Sequence, residues 1–145
     1  MSSSSSGIDA QDRHDDMPFV DSSKVLVVCK SPINRVVICK IVERCGLRPI
    51  SESPETAAPA LQALSPGTVV LDGGADNRDC DPLLAEISSV RRLMGGTTPA
   101  VVMLSTRNRS LQAPIRHNVV DAVVTKPITP EGLQPVIERL AKRAR

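Results

Sequence analysis

The sequence predicts an α/β fold, a parallel five-stranded sheet with helices on both faces. Three observations carry this. Short continuous apolar runs of strand length recur along the chain, the mark of strands covered on both sides. Between them lie stretches whose apolar residues repeat at helical spacing. Several of those stretches open on a capping residue followed by proline. Such alternation calls for parallel strands joined by right-handed crossovers.

The elements follow in order. Residues 1–22 are rich in Ser and Asp with little to bury, and read as a disordered leader. Residues 23–145 then form a single domain. Lys24 to Cys29 is the first strand. Ser31-Pro32 caps a helix with Ile33, Val37, Ile41 and Cys45 on one stripe, closed by Gly46. A weak strand spans Leu47 to Ser51. Ser53-Pro54-Glu55 opens a second helix that buries Ala57, Leu61 and Leu64. Thr68 to Asp72 is the third strand, ended by Gly73-Gly74. Pro82 to Leu93 is a helix with Leu83, Ile87 and Val90 inward. Pro99 to Leu104 and Val119 to Val124 are the fourth and fifth strands. Between them Ser110 to His117 reads as a short helix, made irregular or late-starting by Pro114. Thr129-Pro130-Glu131 opens the last helix, with Leu133, Val136, Ile137 and Leu140 as its apolar face.

Composition removes several function classes. The chain has 145 residues, 41% hydrophobic and 23% charged, so about 120 residues remain for one core. Phe19 is the sole aromatic residue, which excludes base-stacking platforms for RNA or single-stranded DNA. The net charge of +2 hides an acidic leader, with five aspartates against Arg13, and a basic end at Arg139, Lys142, Arg143 and Arg145. Those terminal cations complement a helix dipole, so nucleic-acid binding is not expected. Cys29, Cys39, Cys45 and Cys80 form no CxxC pair, and His14 and His117 stand alone, so neither a zinc site nor a thioredoxin-type motif is expected. The Ser-rich opening lacks the basic and apolar regions of a signal peptide, and no apolar run approaches a membrane span. A cytoplasmic protein with reduced thiols is expected.

In such a fold the functional crevice lies beyond the carboxyl ends of the strands. There the chain places Cys29-Lys30, Asp72, Ser105-Thr106 and Thr125-Lys126-Pro127. Alone, a strand-end Asp is usually a turn or a cap. A carboxylate, a hydroxyl and an amine on three neighbouring strand ends instead suit chemistry on a phosphoryl group.

From Lys24 to Lys142 the chain resembles the receiver domain of two-component response regulators. The likeness is clearest in Val25-Leu26-Val27-Val28-Cys29-Lys30-Ser31-Pro32-Ile33-Asn34-Arg35. Receivers of hybrid kinases typically read Val-Leu-Val-Val-Asp-Asp-Asn-Pro-Ile-Asn-Arg there. It continues in Val69-Val70-Leu71-Asp72, in Met103-Leu104-Ser105-Thr106 and in Val123-Val124-Thr125-Lys126-Pro127. The resemblance implies a flavodoxin-like (βα)5 sandwich with strand order 2-1-3-4-5 and a cis Lys126–Pro127 bond. It implies Asp72 as the phosphoacceptor, Ser105 as the residue that senses the phosphoryl group, with Thr106 beside it, and Lys126 as the bridging lysine. It also implies histidine kinases, phosphotransfer proteins or other signalling proteins as partners. A homodimer would form through the face of the fourth helix, fifth strand and fifth helix.

Two family features are missing. The acidic pair that holds Mg²⁺ falls on Cys29 and Lys30, and the aromatic switch residue falls on Val123. Sulfur is a poor magnesium ligand, and an ammonium stands where a cation should bind. At ~4 Å and an effective dielectric of about 20, Lys30 and Asp72 would attract by about 4 kcal/mol before desolvation. The expectation is therefore that Lys30 pairs with Asp72, that Mg²⁺ binding is weak or absent, and that the domain is a stand-alone, non-enzymatic, metal-independent interaction module. Two alternatives stay open. One is a working phosphoacceptor at Asp72. The other is a redox sensor at Cys29, whose thiol pKa Lys30 and the adjacent helix N-terminus would lower.

Overall fold

The computed structural model describes residues 21–72, 80–94, 98–105 and 119–144. Its strands are β1 (Asp21–Cys29), β2 (Arg48–Glu52), β3 (Pro66–Asp72), β4 (Ala100–Ser105) and β5 (Ala122–Thr125). Its helices are α1 (Pro32–Arg44), α2 (Ala57–Leu64), α3 (Asp81–Met94) and α4 (Pro130–Ala144). All strand pairs are parallel, in the order β2-β1-β3-β4-β5. This is the expected 2-1-3-4-5 arrangement. The helix expected at 110–117, and with it part of the expected dimer face, lies outside the described residues, as do Thr106 and residues 1–20.

Strand alternation builds two cores. Val25, Val27 and Cys29 of β1 face one way, joined by Val70, Val102 and Leu104 and covered by α1 and α4. Leu26 and Val28 face the other way with Val69, Leu71, Val101 and Met103, under α2 and α3. Every residue of β3 and of β4 is buried, which explains their unbroken apolar runs.

Several boundaries depart from the sequence expectation for local reasons. The first strand starts at Asp21 and pairs there with Pro66, with a register shift before Val25. In α1 the Ser31 cap and Pro32 start hold, the Ser31 hydroxyl accepting the Asn34 amide at 3.3 Å. The buried face, however, is Ile38, Ile41 and Val42, while Ile33 is 76% exposed and Val37 only half-buried. Helix α2 begins at Ala57 rather than Pro54. Residues 54–56 form a turn in which the Thr56 hydroxyl donates to Glu52 Oε1 at 2.6 Å. It ends on Ser65, which takes a left-handed φ of 46°. The fifth strand starts at Ala122, just after Asp121, whose amide donates to the Val101 carbonyl at 2.9 Å. The Asp121 carboxylate pairs with Arg91 and accepts Val101 N at 2.8 Å. Arg91 Nε also donates to the Pro99 carbonyl at 3.1 Å. No described helix is long and apolar enough to cross a membrane.

Candidate functional site

The crevice forms where β1 and β3 end side by side. Their register sets Cys29 opposite Asp72, and the Lys30 amide donates to the Asp72 carbonyl at 3.2 Å. Asp72 is a carboxylate with 3% of its side chain exposed, so each oxygen needs a partner. Oδ1 receives the Lys126 ammonium at 2.6 Å. Oδ2 receives the Asn34 amide at 3.1 Å and the Cys29 thiol at 3.6 Å. Lys126 reaches the site from the turn after β5, where its own amide donates to the Ser105 carbonyl at 2.7 Å. The Lys126–Pro127 bond is cis, as the resemblance implies.

Asp72 and Lys126 thus meet directly at the strand ends. Ser105 ends β4, buried and opposite Thr125. Val123 is half-buried in β5. The expected Lys30–Asp72 pair does not form. Lys30 is exposed, and the cation on Asp72 is Lys126. The physical reason is the turn into α1. It spends the Lys30 backbone on Asp72, whereas the turn after β5 delivers the Lys126 side chain to the carboxylate.

Two residues of the site went unassigned at the sequence level. Asn34 lies in the first turn of α1, where helical Cβ atoms tilt back toward the N-terminus and hence over the strand ends. That position, three residues past the cap, was the available signal. Arg35 follows it and donates to the Cys29 carbonyl at 2.7 Å, tying α1 to the end of β1.

The thiol chemistry also departs from expectation. Burial pushes the Cys29 pKa from 9.0 up to about 11, and the neighbouring Asp72 charge adds to the rise. A backbone hydrogen bond with Ser31 and the charge of Arg35 oppose it without prevailing. A redox-sensing thiol needs the opposite shift. Cys29 is here a protonated donor.

These features define a class first: a flavodoxin-like, doubly wound sheet with a buried acid at the end of its central strand. Within that class the fold is that of response-regulator receiver domains. A sensor protein from Polaromonas sp. JS666 matches with a TM-score of 0.70 at 16% identity, over 84% of this chain and 98% of that one. The receiver domain of a Francisella response regulator gives 0.67 at 21% identity, over 84% and 98%. The receiver domain of a Pseudomonas aeruginosa sensor histidine kinase, with magnesium coordinated in its active-site cleft, gives 0.64 at 18%, over 82% and 97%. No protein-family model matches the chain, and no curated protein sequence matches it.

The magnesium of that neighbour sets a test for the residues here. Mg²⁺ takes oxygen ligands in near-octahedral order. Around Asp72 the chain supplies an ammonium, an amide N–H and a protonated thiol, all donors aimed at the one carboxylate. Among the described residues no three His, Cys, Asp or Glu side chains gather where they could hold a metal. Among the described residues, the donor set around Asp72 does not fit the ion.

Proposed function

We propose that the chain is a receiver-type module of two-component phosphorelay signalling that works as a metal-independent protein-interaction unit and not as an enzyme. The observation that carries this reading is the closure of Asp72. Both carboxylate oxygens are engaged by the chain's own side chains, Lys126 on one and Asn34 with Cys29 on the other. Phosphoryl transfer to a carboxylate brings two anions together and requires neutralisation that Mg²⁺ normally supplies. Lys126 provides one positive charge and is already spent on the acid. The half-buried aliphatic Val123 offers no ring to swing between states, so a fixed surface suits the module better than a switched one. Partners are histidine kinases, phosphotransfer proteins or other signalling proteins, in the cytoplasm. Receiver domains of sensor histidine kinases among the structural neighbours support that choice.

A second reading, phosphorylation at Asp72, is favoured by one observation: the acid and the lysine are both in place, 2.6 Å apart. Acetyl phosphate with Mg²⁺ separates the two. The expected outcome is no added mass on the intact protein. A stoichiometric phosphoryl adduct, lost in Asp72→Ala, would establish the second reading in place of the first.

A further inference from the structure

We propose that Asn34 is the positioning residue that keeps divalent cations off Asp72. The inference rests on the metal-independent reading above and names the group responsible. Lys126 occupies only Oδ1. A cation approaching the acid would have to take Oδ2, and that oxygen is held by the Asn34 amide at 3.1 Å. The Cys29 thiol shares Oδ2 at 3.6 Å, but a thiol is a weak donor and yields more easily than an amide. Lys30, the obvious suspect from its charge, is exposed and is not a partner of the carboxylate.

The amide is also fixed in its place. The Asn34 backbone N–H is capped by the Ser31 hydroxyl at 3.3 Å. The next residue, Arg35, grips the Cys29 carbonyl at 2.7 Å, so the first turn of α1 cannot drift from the end of β1. A neutral donor set here satisfies a buried carboxylate oxygen and offers no acceptor to a cation.

The isosteric change Asn34→Asp keeps the volume and turns that donor into an acceptor. Two carboxylates then share one site, a pairing that a divalent cation relieves. The test is Mn²⁺ binding to the full chain, followed by water-proton relaxation, in wild type, Asn34→Asp and Asn34→Ala. Asn34→Asp is expected to bind Mn²⁺ at least about tenfold more tightly than wild type, and Mg²⁺ should compete. Asn34→Ala, which frees Oδ2 without adding charge, is expected to gain a smaller factor, about threefold. A folded Asn34→Asp with wild-type affinity overturns the proposal, as does a loss of affinity in Asn34→Ala, which would make Asn34 a ligand. Should Asn34→Asp not fold, the sign of the Asn34→Ala change decides alone. Tight, Asp72-dependent Mn²⁺ binding by wild type is a different result: it would overturn the metal-independent reading itself.

Discussion

The two ends of the sheet each carry a nearly buried ion pair, and they are built differently. At the amino end, Arg91 and Asp121 bind each other and then the backbone. The arginine reaches the Pro99 carbonyl, and the aspartate takes the Val101 amide. At the carboxyl end, among the described residues, the Asp72 carboxylate is met by side chains alone: Lys126, Asn34 and Cys29. Backbone partners are fixed by the sheet, while side-chain partners can leave by rotating. The first pair is therefore a clamp between α3 and the starts of β4 and β5. The second is an arrangement that a single substitution can rewrite.

Breaking the clamp should have the largest effect. Asp121→Ala strands Arg91 and the Val101 amide together, and should cost about 3 to 4 kcal/mol in urea unfolding. Its reactivity toward acetyl phosphate should stay that of wild type. An Asp121→Ala chain as stable as wild type would remove the contrast between the two ends.

Alkali should find the other end. The Cys29 pKa is raised above its ordinary 9.0 to about 11, so the folded chain holds that proton more tightly than the unfolded one. The resulting stability is fully present below pH 9 and is lost as pH rises toward 11, up to about 3 kcal/mol in all. Cys39 and Cys45 are raised in the same direction, also chiefly by burial, so wild type must be compared with Cys29→Ser. The difference in unfolding free energy between the two should narrow across that window. A constant difference would show that the thiol titrates normally in the fold.

The smallest effects should come from the Asp72 pair, and they should be lopsided. Lys126→Ala leaves a 3% exposed carboxylate with only Asn34 and Cys29, and should cost about 2 kcal/mol. Asp72→Ala leaves a lysine that is 20% exposed and can turn to water, at less than about 1 kcal/mol. Equal losses from the two substitutions, read by thermal unfolding, would mean that the site is a clamp like its counterpart.

Much of this was legible in the chain. The unbroken runs at Val25–Cys29, Val69–Asp72 and Val101–Leu104 announce strands buried on both faces. Ser31-Pro32 and Thr129-Pro130 mark their helices to within a residue. Local patterns could not show that Ile33 is exposed, since helical spacing fixes a stripe but not which part of it is covered. The site divided the same way. Asp72 and Lys126 stand out because each ends a strand run. Asn34 belongs to the receiver-like run Val25–Arg35 but has no charge to single it out, and its role depends on which neighbouring strand ends in an acid. Lys30 misled for a related reason: charge is written in the sequence, but side-chain direction is set by the turn that follows.

One last consequence follows from the burial of all seven residues of β3. The acid ends a strand that is hemmed in by a strand on either flank and a helical layer above and below. Its partners come from the parts that lean on it: a lysine from a turn at the sheet margin and an amide from the opening turn of a helix.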